Sequence, residues 1–210
     1  MEQGNGSGRR ERRDAQRNLE RVLSAAHELF AERGADVTME EVARHAGVGV
    51  GTIYRRFPSK EQLLAAVSHA ACDDTRACLV AAADAAADPL QKLRALVLAQ
   101  YRRAADGTAL IELRSPAEGQ GGAAAEQQLY DTLHALLRDV IGEGQRQGLL
   151  RPGDASMLAA LCLELISPRV FAHLARACDG TGNPADQIVG FVLGGLGAQP
   201  AAHRRTEEQP

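Results

Sequence analysis

The chain is nearly devoid of aromatic residues: four Phe, three Tyr and no Trp in 210 positions, 3% of the total. Strand-rich architectures favour aromatic and β-branched side chains, so this scarcity argues against them. There is no uncharged apolar run of the roughly 18 residues that a membrane span requires, and no apolar segment before Leu19 of the kind that a secretory signal carries. No membrane partner is expected, and the expected compartment is the cytoplasm. Without such a signal, the four cysteines (Cys72, Cys78, Cys162, Cys178) read as reduced thiols rather than a disulfide framework.

Catalytic constellations are missing too. The sequence has no Gly-x-Ser-x-Gly, no phosphate-cradling Gly-rich loop after a strand and no His-Glu-x-x-His. The expectation is therefore a protein that is not an enzyme and needs no cofactor. His69 and Cys72, three residues apart on one expected helix, come nearest to a metal pair. Lone cysteines on Ala-rich helices are more often small core residues, so no metal site is expected.

What is present is ordinary for a globular chain: 45% apolar and 24% charged residues. The net charge of −3 conceals an asymmetry. Through Lys60 there are 11 Lys/Arg against 9 Asp/Glu, and thereafter 13 against 18. A mildly basic front and an acidic back point weakly to an anion-binding front end.

The punctuation along the chain predicts helix after helix. Residues 1–14, with Gly4, Gly6, Gly8 and the cluster Arg9, Arg10, Arg12 and Arg13, lack apolar periodicity and read as a disordered basic tail, with a minor-groove arm as the functional alternative. Leu19, Val22, Leu23, Ala26, Leu29 and Phe30 recur at helical spacing until Gly34 stops them. Thr38 and Glu41 form a capping box that opens a short helix to about Ala46. Gly47 breaks it, and a third short helix, Thr52 to Phe57, ends at Pro58. Two short helices about a Gly-containing turn make a helix-turn-helix, whose Val42, Ala43, Val48, Ile53 and Phe57 should pack on Val22, Ala26 and Phe30. Ser59-Lys60-Glu61-Gln62 is a second cap, opening a long helix to roughly Ala86.

The ordered set Ala25-Ala26-His27-Glu28-Leu29-Phe30, Glu32-Arg33-Gly34, Thr38, Val42-Ala43, Ala46-Gly47-Val48, Gly51-Thr52-Ile53-Tyr54, Phe57 and Ser59-Lys60-Glu61-Gln62-Leu63-Leu64 resembles the DNA-binding domain of TetR-family transcriptional regulators. The likeness covers about a quarter of the chain. It implies that Thr38, Tyr54 and Lys60 anchor a DNA backbone, and that the helix carrying Gly49, Val50, Gly51, Thr52, Tyr54, Arg55 and Arg56 enters a major groove. The family usually has Ser where Gly49 stands and Lys or a similar polar residue where Val50 stands. These departures remove a side-chain cap and one polar reader. The residue types agree with the implication: Arg offers guanine a bidentate fork, and Thr52 can meet a thymine methyl or a phosphate. On an ordinary surface, Thr38 and Ser59 would be caps and nothing more, and Arg55 and Arg56 solvated charges.

Beyond Lys60 there are helices but no motif. Asp88-Pro89 starts one on the face of Leu90, Leu93, Leu96, Val97 and Tyr101. A Gly/Pro-containing loop, Ser115 to Gly122, precedes a helix of about 20 residues from Ala123. Asp154 caps another, interrupted at Ser167-Pro168, and Asn183-Pro184 opens the last, ending near Gly197. Ala159 to Ile166 carries only Glu164 as a charge, and Ile188 to Leu196 carries none. Helices apolar on every face need cover on every face, so a homodimer through residues 154–197 is expected, which the resemblance also implies.

The fold class expected is all-α, with a helix-turn-helix domain at 15–60, a helical effector-binding and dimerisation domain at 61–197, and a tail at 198–210. The expected function is a repressor that binds a pseudo-palindromic operator in double-stranded DNA and is released by a small, largely apolar effector. Tyr101 leads the effector-binding candidates because its hydroxyl can orient a ligand beside an apolar stripe; His69, His134 and Glu164 follow. The rival expectation is a helical enzyme or interaction module with a vestigial helix-turn-helix.

Overall fold

Caps and apolar periodicity lay out the chain as expected, with no strand among the described residues. The computed structural model describes residues 6–105, 120–177 and 183–197. The helices are α1 (Gly6–Arg33), α2 (Met39–Ala46), α3 (Val50–Arg56), α4 (Lys60–Asp84), α5 (Pro89–Ala105), α6 (Gln120–Arg146), α7 (Ala155–Leu165), α8 (Pro168–Ala177) and α9 (Pro184–Leu196).

Two starts differ from the sequence expectation. The backbone is helical from Gly6, inside the stretch read as a tail, because Arg, Glu, Gln and Ala extend a helix by propensity even where no apolar stripe is present. Helix α6 begins at Gln120 and takes Gly121 and Gly122 into its first turn instead of ending a loop with them. The rest of that loop, residues 115–119, and the tail at 198–210 lie outside the described residues.

Cα proximity separates two compact units, Met1–Arg76 with Gly107–Tyr130 and Ala77–Asp106 with Asp131–Pro210. The division falls within α4, beyond the boundary expected at Lys60. The reason is packing: Leu63 and Val67, in the first turns of α4, are buried in the core of the first unit.

That core joins Val22, Ala26 and Phe30 of α1 to Val42 and Ala43 of α2, with Ile53 and Phe57 from α3 and its end. Val48 packs against it partly buried. Each large apolar side chain so covered contributes about 1.5–3 kcal/mol relative to exposure.

In the second unit, α5 packs against α8 and α9. Leu93, Leu96 and Val97 of α5 are buried, and Tyr101 meets Phe171 edge-on, with ring centroids 5.5 Å apart. The caps read from sequence are made: Asp154 accepts from the Ser156 and Met157 amides at 2.8 and 3.3 Å, and Asn183 from Ala185 at 3.1 Å. The end of α9 is tied down where the Arg151 amide donates to Leu196 O at 2.8 Å, beside an antiparallel bridge between Leu150 and Gly197. No described helix is long and apolar enough to cross a membrane.

Candidate nucleic-acid interface

Local chemistry sets the angle between α2 and α3. Thr38 Oγ1 accepts from the Glu41 amide at 3.2 Å, while the Glu41 carboxylate accepts from the Thr38 amide at 2.9 Å. The N-terminus of α2 is thereby satisfied reciprocally. The Glu41 carboxyl is held below its ordinary range, first by the Thr38 amide and then by Arg33, whose guanidinium lies 2.8 Å away. At the other end Gly47 adopts φ 64°, ψ 39°, the left-handed conformation that only glycine takes without strain. The Arg21 guanidinium donates to Gly47 O at 3.4 Å, fastening the turn to α1.

Helix α3 then presents its residues by the 100° step of a helix. Ile53 is buried and seats the helix on the core. Val50, Gly51, Tyr54 and Arg55 share the exposed side. Gly49 is the N-cap and makes no side-chain cap bond, as its substitution for Ser implies. A Cβ placed on Gly51 would meet nothing within 4 Å, so the space there is open for another molecule. Thr52, Arg55 and Arg56 line an open groove of about 690 Å³ whose opposite wall is Asp14, Gln16, Asn18 and Leu19 of α1.

The expected anchors lie around this helix. The Tyr54 hydroxyl, on a ring 44% exposed, donates to Glu40 Oε1 at 3.3 Å. Its pKa is raised, by desolvation first and then by the Glu40 charge. The Lys60 ammonium stands 5.8 Å from the centroid of the Phe30 ring, at the start of α4. Ser59 Oγ accepts from the Gln62 amide at 3.3 Å, so the cap expected there is formed. The Thr38 hydroxyl is engaged within its own capping box, and the backbone at the start of α2 is what it positions.

The effector candidates are dispersed. His69 is exposed in the first unit, where it shares a cavity of only about 20 Å³ with Cys72 and Arg76. In the second unit, Tyr101 is half-buried on Phe171, His134 Nε2 lies 2.9 Å from Ser156 O, and Glu164 is exposed on α7. One residue escaped sequence reading. Gln100 is 6% exposed, and its Oε1 has no hydrogen-bond partner among the described residues. The signal was available: Gln100 continues the Leu93, Leu96, Val97 stripe, where a polar residue is out of place. Among the described residues, Cys72, Cys78 and Cys162 are free, and burial pushes the Cys72 and Cys162 thiols up to about 11.

A capped helix, a left-handed glycine turn and a short exposed helix seated by Ile53, all borne on a longer helix, define the class: a helix-turn-helix domain joined to a helical body. Residues 22–67 match the family described as bacterial regulatory proteins, tetR family. Over 53 residues the chain is 42% identical to an HTH-type transcriptional regulator of Staphylococcus aureus (strain USA300), a match that covers 25% of this chain and 29% of that protein. Among solved structures it is similar to AibR in complex with isovaleryl coenzyme A and operator DNA, with TM-score 0.67 and 20% identity across 87% of this chain and 100% of that one. It is similar as well to the fatty acid degradation regulator FadR from Bacillus halodurans, with TM-score 0.67 and 22% identity across 84% of this chain and 98% of that one. The likeness to the tetR family thus lies in residues 22–67, the chain spans under a third of the length of the curated relative it matches, and the solved structures share its fold.

Proposed function

We propose that the chain is a homodimeric, sequence-specific DNA-binding transcriptional regulator, a repressor that a small, largely apolar effector releases from its operator. The observation that carries the reading is α3: a short helix locked by Ile53 and the Gly47 turn, with Gly51, Tyr54 and Arg55 on its open side. Arg55 and Arg56 serve as base or phosphate contacts, and Tyr54, Lys60 and the start of α2 at Thr38 as backbone anchors. Two-fold symmetry then calls for a pseudo-palindrome with half-sites separated by about one helical turn, 34–36 Å, or a multiple of it.

Exposed apolar residues in the second unit support the dimer. Met157 and Leu161 of α7 are each 55% exposed, and Phe191 of α9 is 68% exposed. On α9 they are joined by Gly190, Gly194 and Gly195, at none of which a Cβ would meet any atom within 4 Å. An apolar, side-chain-poor face of this kind suits the close approach of a second copy of the same helix.

An acyl-bearing effector is supported by the regulators of similar fold, one solved with isovaleryl coenzyme A and one named for fatty acid degradation. In this chain Gln100 Oε1, buried on the α5 face of Leu93, Leu96 and Val97 and without a partner among the described residues, would offer an acceptor for a ligand's donor. Release requires that the ligand favour the DNA-incompetent state, by about 1–3 kcal/mol of coupling, with DNA weakening ligand binding by the same factor.

The test is a gel-shift titration of the purified chain on a fragment of its own upstream region at physiological salt. A shift that Arg55→Ala weakens, together with loss of the shift on adding an acyl-coenzyme A, is the expected result. No shift on any upstream fragment would favour a helical module that merely retains the fold.

A further inference from the structure

The first half of α1 is a helix with nothing to bury. Between Gly6 and Asn18 the only apolar residue other than glycine is Ala15, and the core of the first unit starts at Leu19 and Val22. Thirteen residues at 1.5 Å each make a polar rod of about 20 Å. A helix polar on all sides has no packing reason to persist alone, so its charge pattern is informative.

That pattern is a stripe. Arg9, Arg13, Arg17 and Arg21 recur every fourth residue, which places them on one slowly rotating face, with Arg10 next to it. Glu11 and Asp14 fall on other faces. The one acid within the stripe, Glu20, accepts a hydrogen bond from Gln16 Nε2 at 3.0 Å. Arg13 and Arg17 are exposed and form no hydrogen bond or ion pair with any described residue. The inner end of the stripe is anchored at the reading head, because Arg21 is the residue that donates to Gly47 O in the turn before α3. On the neighbouring face, Asp14, Asn18 and Leu19 wall the groove opposite Thr52, Arg55 and Arg56. The rod therefore runs beside the reading helix within the same compact unit and extends past it.

We propose that Arg13 and Arg17 form a second, sequence-independent DNA contact, to the sugar-phosphate backbone flanking the bases covered by α3. The inference rests on the DNA-binding reading above. A duplex seated on α3 passes alongside the rod, and 20 Å of helix spans about six base pairs at 3.4 Å each. Guanidinium groups such as those of Arg13 and Arg17 suit a phosphate contact because they give up no ion pair with a described residue on meeting the duplex, and each releases condensed counterions from it.

The experiment compares the full chain with the double variant Arg13→Gln, Arg17→Gln, and with the corresponding double Lys variant. Each is titrated against the upstream fragment and against a mixed-sequence duplex over a series of salt concentrations. Loss of two phosphate contacts should lower the slope of log K against log salt by about 1.8, equally on both duplexes, while the Lys variant keeps the wild-type slope. Trimming the base pairs that flank the operator should weaken the wild type and leave the Gln variant unchanged. Circular dichroism confirms that the variants remain helical. If the wild type binds the upstream fragment and the Gln variant keeps both its salt slope and its sensitivity to trimming, the arm is not a DNA contact. If the wild type binds neither duplex, the DNA-binding reading itself has failed.

Discussion

Phe30 and Phe191 are the same residue type in opposite circumstances. Phe30 is 4% exposed, within the core that α1, α2, α3 and the start of α4 share, whereas Phe191 is 68% exposed on α9. The regions around them differ in the same way. The first unit completes its own core at the helix-turn-helix, with cap and turn residues fixing each joint. The second unit buries one side of α7 and α9 and leaves Met157, Leu161 and Phe191 on the other. A domain that closes on itself can be encoded by local chemistry, while one that pairs with a second copy, as proposed for the second unit, must keep part of its hydrophobic surface open.

The largest effect expected from this contrast is on stability. Phe30→Ala should cost about 3–5 kcal/mol and unfold the first unit at a lower denaturant concentration, because the cavity has rigid walls. Phe191→Ala should leave the denaturation of an isolated protomer almost unchanged. Chemical denaturation followed by circular dichroism separates the two, and equal losses would erase the comparison.

Next comes assembly. With Phe191→Asp, light scattering should give half the mass of the wild type, since a carboxylate at the centre of the proposed interface would be desolvated without a partner. Affinity for the paired operator should fall with it, while each protomer stays folded. A wild type that is already monomeric at low micromolar concentration would move the interface elsewhere or remove it.

Smaller effects test the joints of the self-contained unit. Gly47→Ala imposes about 1–2 kcal/mol of left-handed strain, and its Cβ would also displace the Arg21 guanidinium. Thr38→Ala should cost about 1 kcal/mol, the usual loss for an N-cap. Since the folded Glu41 pKa lies below its unfolded value, the stabilisation by this box is complete at neutral pH and lost as pH falls through the folded pKa. The difference between wild type and Thr38→Ala should therefore shrink on acidification through and below the usual carboxylate range, as thermal melts at several pH values would show.

How much was legible in the sequence follows the same divide. Thr38, Ser59, Asp154 and Asn183 all cap as read, because a cap depends on the nearest three residues. The start of α1 is not legible: the Arg-rich stretch has helix propensity but no apolar period to mark a helix. That Leu63 and Val67 belong to the first core is not legible either, because they look like any apolar positions of a long helix until their packing is seen. Helix α3 runs from Val50 to Arg56, close to the expected Thr52 to Phe57, and only the structure shows that both of its arginines line the α1 groove. Effector residues were the least legible. A polar group such as Gln100 is informative only once its burial and its missing partner are known.

The bond from Tyr54 to Glu40 carries a consequence for discrimination. A hydroxyl that already donates to a carboxylate gains only the difference between two acceptors when it turns to a phosphate, so the net benefit of the exchange is small. In the proposed DNA complex the vacated carboxylate would face the incoming strand and repel it, whatever its sequence. Random DNA, which offers only phosphates, would then be held at arm's length, and an operator would overcome the repulsion through the bases that α3 is proposed to meet. Glu40→Gln should accordingly raise affinity for mixed-sequence DNA more than for the operator and narrow the ratio between them, a change that competition binding at fixed salt would read directly.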